Sequence, residues 1–256
     1  MLNHDLAKYF LAVTAIIIAG GCWLLDWGWL WCLVPFGIFI MNLIYGSFNI
    51  RSNYHLKSIN DGPQDDNRIA LTFDDGPTEF TPGVLDLLME KNAKATFFCI
   101  GSSLDANTEI AKRAYAEGHH LANHSYNHGR GFDFASKSTI AKEIQETNYL
   151  LRKIVGASPK WFRPPYGVTN PNIKKVLEQM KMISIGWSNR SLDTLKEAPE
   201  KVVQRVMSKV KGGDIVLFHD SHDRISPILE QFLNEIEKTE FKIVPLEELI
   251  DEKAYS

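Results

Sequence analysis

From residue 68 onward, short apolar runs alternate with stretches of helical periodicity. The spacing predicts strands at 69–73, 95–100, 120–122, 161–163, 182–187, 214–218 and 241–244, and helices at 82–91, 107–117, 137–155, 171–180, 199–211 and 226–238. Pro82, Pro171 and Pro199 stand in first helical turns, where the missing N–H of proline costs little. Strands separated by helices need crossover connections, so they run parallel, in an open sheet or a barrel. With 45% hydrophobic and 23% charged residues, the 256-residue chain is neither collagen-like nor disordered and can bury one sizeable core.

The polar residues that stand out fall just after the predicted strands. Asp74-Asp75-Gly76-Pro77 follows the first, His124-Ser125-Tyr126-Asn127-His128 the third, and Arg163-Pro164-Pro165-Tyr166 closes the fourth. Arg190 to Asp193 follows the fifth and His219-Asp220 ends the sixth. In a β/α barrel the carboxyl ends of the strands build the active site.

His124 and His128 are four apart, so on a helical turn both imidazoles face one way. With one carboxylate they would make the His-His-Asp set of a catalytic zinc, which leaves positions open for water and substrate, and the alternative is a pair of surface histidines on a helix. His120 also precedes His124 by four, and spacing alone does not choose between the pairs. His120 lies inside a strand, where four-residue spacing does not converge, which favours His124 and His128. Of two adjacent carboxylates after a strand, one can bind a cation while the other accepts a proton from water. Asp-Asp-Gly-Pro is equally good turn chemistry, and the local residues do not decide.

Thr72-Phe73-Asp74-Asp75-Gly76-Pro77, His124-Ser125-Tyr126-Asn127-His128, Arg163-Pro164-Pro165-Tyr166 and Val216-Leu217-Phe218-His219 together resemble, in order, the motifs of the polysaccharide deacetylase family (NodB homology, carbohydrate esterase family 4). The resemblance runs from about residue 68 to the C-terminus. It implies a distorted (β/α) barrel of the NodB-homology type and metal-dependent hydrolysis of N-acetyl groups on GlcNAc-type amino sugars, in a polysaccharide or peptidoglycan. By the same resemblance Asp75, His124 and His128 are the ligands of a divalent metal, usually Zn2+. Asp74 is the general base, His219 the general acid and Arg163 the residue that orients the base, while the backbone N–H of Tyr166 helps hold the oxyanion. Pro165, Trp187 and Val216 are expected at the substrate, Val216 as an apolar wall.

One motif departs from the family. Where the family reads Asp-x-x-Asp-Trp, this chain has Arg190-Ser191-Leu192-Asp193-Thr194, keeping only Asp193. The region tunes the catalytic histidine in the family. A cation at position 190 is expected to leave His219 without an anionic partner and to lower its pKa. His119, His222 and Asp220 are expected to have no chemical role, the last two as solvated loop residues.

The N-terminus is of a different kind. Residues 9–25 and 27–46 are uncharged, and Asp26 alone interrupts them among Trp23, Trp27, Trp29 and Trp31. A bilayer span needs about 20 apolar residues, so residues 1–50 are expected to form a two-helix transmembrane hairpin turning near Asp26. The competing reading is a signal peptide, with Ala19-Gly20-Gly21-Cys22 as a loose lipoprotein box; a second apolar stretch argues against removal. Lys8, Arg51 and Lys57 flank the spans on one side, which by the positive-inside rule puts the catalytic portion, 68–256, in the cytoplasm, joined by a polar linker at 51–67.

Net charge is -3, with no basic surplus for nucleic acid. Three cysteines exclude a dense disulfide framework, and Cys99 reads as a small buried hydrophobe. Three functional readings stand: an anchored amino-sugar N-deacetylase acting on a polymer, a lipid-linked sugar N-deacylase at the cytoplasmic membrane face, and a non-catalytic carbohydrate-binding relative. Loss of a metal ligand or of the base would favour the third, and all are present.

Overall fold

The computed structural model describes residues 3–25 and 27–256, so Asp26, the expected turn, lies outside the described residues. Helices α1 (His4–Leu24) and α2 (Leu33–Phe48) come first. Among the described residues only α1, at 21 residues, is long and apolar enough to cross a membrane. The second helix starts at Leu33, later than the expected 27, and at 16 residues it falls short of a span by itself. A 3-10 turn, Trp29–Cys32, runs directly into it.

The rest is a parallel α/β fold. In chain order it comprises β1 (Ser58–Ile59), β2 (Arg68–Asp74), α3 (Thr81–Glu90), β3 (Ala95–Cys99), α4 (Gly101–Ala106), α5 (Thr108–Ala116), β4 (His120–Asn123) and α6 (Lys137–Val155). Then follow β5 (Trp161–Phe162), α7 (Pro171–Met180), β6 (Ile183–Ile185), β7 (Asn189–Arg190), α8 (Pro199–Met207), β8 (Ile215–His219), α9 (Ile225–Ile236), β9 (Lys242–Ile243) and α10 (Leu246–Ile250). The strand order is β1-β6-β5-β4-β3-β2-β8-β7, with β9 on β2, and every ladder is parallel. Among the described residues β1 and β7 do not pair, so the barrel stays open.

Caps fix the helices where the sequence reading expects them. The Ser136 hydroxyl accepts from the Thr139 N–H to start α6, and Gly156, at φ 80°, ends it. Asn170 caps α7 through the N–H groups of Asn172 and Ile173, with Pro171 in the first turn.

Side chains two apart share a face of a strand, and this rule sorts the core. Ile69, Leu71 and Phe73 of β2, with Val216 and Phe218 of β8, pack outward with Leu85, Phe232 and their helices. Ala70, Phe98, Ala122, Trp161, Ile185 and Ile215 fill the barrel, plugged by Leu246 and Leu249 of α10. Following the inward rows upward gives Ala70, Thr72, Asp74 on β2 and Ile215, Leu217, His219 on β8. The same parity carries Ala122 to His124, and Trp161 to Arg163. The inward rows therefore end in the polar residues.

The stretch 51–67 is not a free linker. Tyr54, His55, Ser58 and Asn60 are buried, and β1 pairs with β6. A two-residue strand carries too little alternation for a pattern to register, which is why β1 and β7 were not expected.

Candidate active site

A cleft of about 170 Å3 at the carboxyl ends of the strands is lined by Asp74, Asp75, His124, His128, Tyr166, Gly167, Trp187, Arg190, Thr194, Leu217 and His219. It joins residues from the ends of six strands, β2, β4, β5, β6, β7 and β8.

Asp74 ends β2 and is almost wholly buried. Its Oδ1 accepts from Arg163 Nη1 at 2.6 Å. The guanidinium, also fully buried, donates further to Thr72 Oγ1 and to the carbonyls of Ile185 and Gly186, and it lies 3.9 Å over the Phe98 ring. Burial lowers the Arg163 pKa, and Asp74 opposes that shift. Fixed on five partners, Arg163 locks the carboxylate of Asp74 in one orientation.

Asp75, His124 and His128 present one ligand atom each, all within 4.8 Å of one another. Asp75 Oδ1 is 3.6 Å from His124 Nε2 and 3.5 Å from His128 Nε2. His124 Nδ1 donates to the Arg163 carbonyl at 2.7 Å, which turns Nε2 and its lone pair to the centre. Burial, and then the nearby His124, hold His128 down to about 4, so its imidazole is neutral at neutral pH, the metal-binding form. Asp75 Oδ1 is buried with no hydrogen-bond donor. A buried carboxylate oxygen without a donor, facing the Nε2 atoms of two imidazoles, fits a divalent cation. Asp75, His128 and Tyr166 all adopt φ between 50° and 77°, a left-handed conformation that these residue types hold only where surroundings impose it.

On the facing wall His219 donates from Nδ1 to Asp193 Oδ1 at 2.8 Å. Burial disfavours the imidazolium, but the hydrogen bond and charge of Asp193, with Asp74 and Asp75 behind, prevail and raise its pKa to about 9. Asp193 is likewise opposed by burial, yet bonds from His219 and His222 hold it well below the usual carboxylate range. This corrects the expectation for Arg190. His219 keeps its anionic partner, because Asp193 survives, while Arg190 lies 5.6 Å from the centre of the Trp187 ring on the cleft wall.

Other expected residues resolve as follows. His120 sits on the same strand face as His124 but four residues lower, about 13 Å along a strand, beside Glu247, Trp161 and Tyr255. His119 accepts from the Ala95 N–H in the core. Trp187 and Tyr166 line the cleft, and the Tyr166 ring stacks 4.6 Å from His128. Pro165 is buried below that wall. Val216 does not reach the cleft: parity turns it into the outer core, and its neighbour Leu217 forms the wall instead. His222 and Asp220 are not solvated loop residues. His222 contacts Asp193 at 3.4 Å, and Asp220 is fully buried against Thr81, where burial raises its acid to about 7. No period or spacing marks either in the sequence, although both lie within three residues of His219.

A polysaccharide deacetylase family model matches residues 61–184. A peptidoglycan-N-acetylglucosamine deacetylase of Bacillus cereus is 34% identical over 194 residues, covering 73% of this chain and 90% of that protein. The chain belongs to the polysaccharide deacetylase family. A peptidoglycan-N-acetylglucosamine deacetylase of Listeria monocytogenes is 37% identical over 187 residues, 73% of this chain, and the match spans only 39% of that relative's length. Among solved structures, a Bacillus anthracis protein described as a family 4 carbohydrate esterase pseudoenzyme superposes with a TM-score of 0.71 at 28% identity, covering 77% of this chain and 70% of that one. Membership and fold therefore do not by themselves decide activity. The residues in the cleft do.

Proposed function

We propose that the protein is a metal-dependent hydrolase that removes the N-acetyl group from a GlcNAc-type amino sugar of a glycan. The observation that carries this reading is the placement of Asp74. It is locked by Arg163 with its Oδ2 3.8 Å from His124 Nε2, next to the Asp75–His124–His128 set and in the same small cleft as the His219–Asp193 pair. A carboxylate, a cation site and a charged imidazole around one cleft are what amide hydrolysis requires.

When bound by Asp75, His124 and His128, a divalent cation such as zinc supplies Lewis-acid polarisation of the amide carbonyl. Asp74 accepts the proton of the attacking water, and Arg163 keeps its carboxylate aimed. The backbone N–H of Tyr166 faces the oxygen that gains charge. His219, protonated at neutral pH, gives its Nε2 proton to the departing amine as the C–N bond breaks, leaving acetate and a free amino sugar. Asp193 stabilises the imidazolium before that transfer and favours its reprotonation from solvent afterwards. Trp187 and Leu217 wall the acetylated ring.

The N-terminal helices anchor the domain in the cell membrane. α1 is about 32 Å long at 1.5 Å per residue, and the 3-10 turn joined to α2 keeps residues 29–48 helical, enough for a second crossing. Ile16, Trp23, Leu24, Met41 and Phe48 are each more than 60% exposed on these helices, apolar surface that a bilayer covers. Lys8, Arg51 and Lys57 support the cytoplasmic side.

The test is acetate release by the full chain, purified in detergent with added zinc, from N-acetylglucosamine oligomers, solubilised peptidoglycan and lipid-linked GlcNAc. Release from at least one of them supports the reading. Glycan binding with no release from any would instead make the protein a carbohydrate-binding relative.

A further inference from the structure

Around the cleft, three arginines are fully engaged and one is not. Arg163 is spent on Asp74, Thr72 and two carbonyls. Arg205 donates to Glu197 and the Ser191 carbonyl, and Arg224 to the carbonyls of Leu195, Glu197 and Asp193. Arg190 is exposed on the cleft wall, and among the described residues its guanidinium has only the Trp187 ring. It is a permanent cation sharing a small cleft with the catalytic imidazole.

A second, independent observation is where the hairpin ends. Ser47, next to last in α2, accepts through its carbonyl from the Thr169 N–H at 2.9 Å, two residues past Gly167 of the cleft wall. Ile50 is buried, with its Cδ1 against Gly186, and Arg51 donates to the Ser188 carbonyl at 3.2 Å. The start of α1 returns to the same seat. The His4 N–H donates to the Tyr54 carbonyl at 2.8 Å, and its ring lies 4.7 Å from that of His55, which bonds Ser47 Oγ at 2.9 Å. Gly46 packs so closely on Tyr54 that a Cβ would meet the ring at 2.3 Å. Both same-side ends of the hairpin are thus seated on the segments 165–169 and 186–190, which supply Tyr166, Gly167, Trp187 and Arg190 to the cleft. Where the hairpin crosses a bilayer, those walls are held at its surface.

We propose that the acetylated sugar taken by this cleft is carried on a membrane-embedded lipid phosphate, with Arg190, backed by Trp187, receiving the charged link between sugar and lipid. This rests on the deacetylase reading and on the hairpin as an anchor, and it narrows the substrate. A guanidinium offers a planar pair of donors that matches phosphate. A lipid chain keeps the sugar at the height where the graft holds the cleft. A neutral, lipid-free polymer uses neither feature.

The full chain in phosphatidylcholine vesicles tests this, as Asp74→Asn for equilibrium binding and with Asp74 intact for acetate release. Four probes are compared: GlcNAc joined through diphosphate to a long-chain lipid alcohol, a nucleotide-diphosphate GlcNAc, a lipid-free glycan with free muramyl carboxylates, and a neutral GlcNAc tetramer. The lipid diphosphate is expected to bind at least tenfold tighter than any lipid-free probe. Arg190→Ala should lower the preference for both diphosphates over the neutral tetramer by about tenfold or more, the loss of a charge-assisted hydrogen bond, and Arg190→Lys should restore part of it. Equal binding of the lipid-free carboxylated glycan and the lipid diphosphate would overturn the proposal. So would an equal effect of Arg190→Ala on the neutral and diphosphate probes. Absence of acetate from every probe would sink the deacetylase reading instead, and the binding series would still report on Arg190.

Discussion

His219 and Asp193 are joined by two hydrogen bonds. The ring donates from Nδ1 to Asp193 Oδ1 at 2.8 Å, and the His219 backbone N–H donates to Oδ2 of the same carboxylate at 2.7 Å. The pair fixes ring plane and tautomer together, and it leaves Nε2 as the proton-donating atom.

Asp193→Asn keeps the shape and removes the charge. With His219 as the acid of the proposed reaction, activity is expected to fall as pH rises through its pKa of about 9. In the variant, burial is no longer outweighed, and the high-pH limb of kcat/KM moves down toward or below about 6.5, the ordinary imidazole value. An unmoved limb would show that another group sets it. The same pair links stability to pH. A folded pKa above the unfolded one gives stabilisation that is full below about pH 6.5 and lost as pH rises through about 9. Wild-type Tm should fall over that window, and the fall should be smaller in Asp193→Asn.

The ligand set makes a prediction about histidines. His124→Ala or His128→Ala should abolish bound zinc measured after dialysis, whereas His120→Ala, whose ring pairs with Glu247 low in the barrel, should keep it. Equal loss in all three would contradict the assignment.

The Arg163 guanidinium makes four hydrogen bonds and is wholly buried. Arg163→Ala strands Asp74 as a buried, unpaired charge, so it should cost about 3–5 kcal/mol of stability as well as activity. Urea unfolding reads this directly; a loss under 1 kcal/mol would mean water replaces the guanidinium.

Gly76 lies between the metal-site loop and the buried Asp220, and a Cβ there would stand 2.1 Å from Asp220 Oδ2. Asp220 is held by Thr81 at 2.6 Å and cannot swing away. Gly76→Ala should therefore push the Asp75 loop aside, costing about 1–3 kcal/mol and weakening metal affinity. Unchanged unfolding and metal titration would show that the loop has slack.

Much of this was legible before any coordinates. The helices at 137–155 and 171–180 carry strong caps and long periodic faces, and they form over those residues. The strand positions of β2 and β8 are legible as apolar runs, which are buried on both faces and so do not tell inward from outward. What escaped had physical reasons. β1 and β7 are two residues each, below the length at which alternation registers. Val216 was placed by motif position, but a one-residue parity decides which side chain meets the cleft, and that side chain is Leu217. The partnership of Asp193 with His219 spans 26 residues and two strands, so no local spacing reveals it. Arg190 drew attention as a missing acid, whereas the structure gives it a separate place on the wall.

The central claim is that adjacent carboxylates divide the work, Asp74 moving the proton and Asp75 holding the metal. The most direct measurement is paired zinc content and acetate release for Asp74→Asn and Asp75→Asn. The account predicts that Asp74→Asn keeps near-stoichiometric zinc while turnover falls about 10²–10⁴-fold, and that Asp75→Asn loses both. Normal turnover in Asp74→Asn, or full zinc in Asp75→Asn, would contradict it.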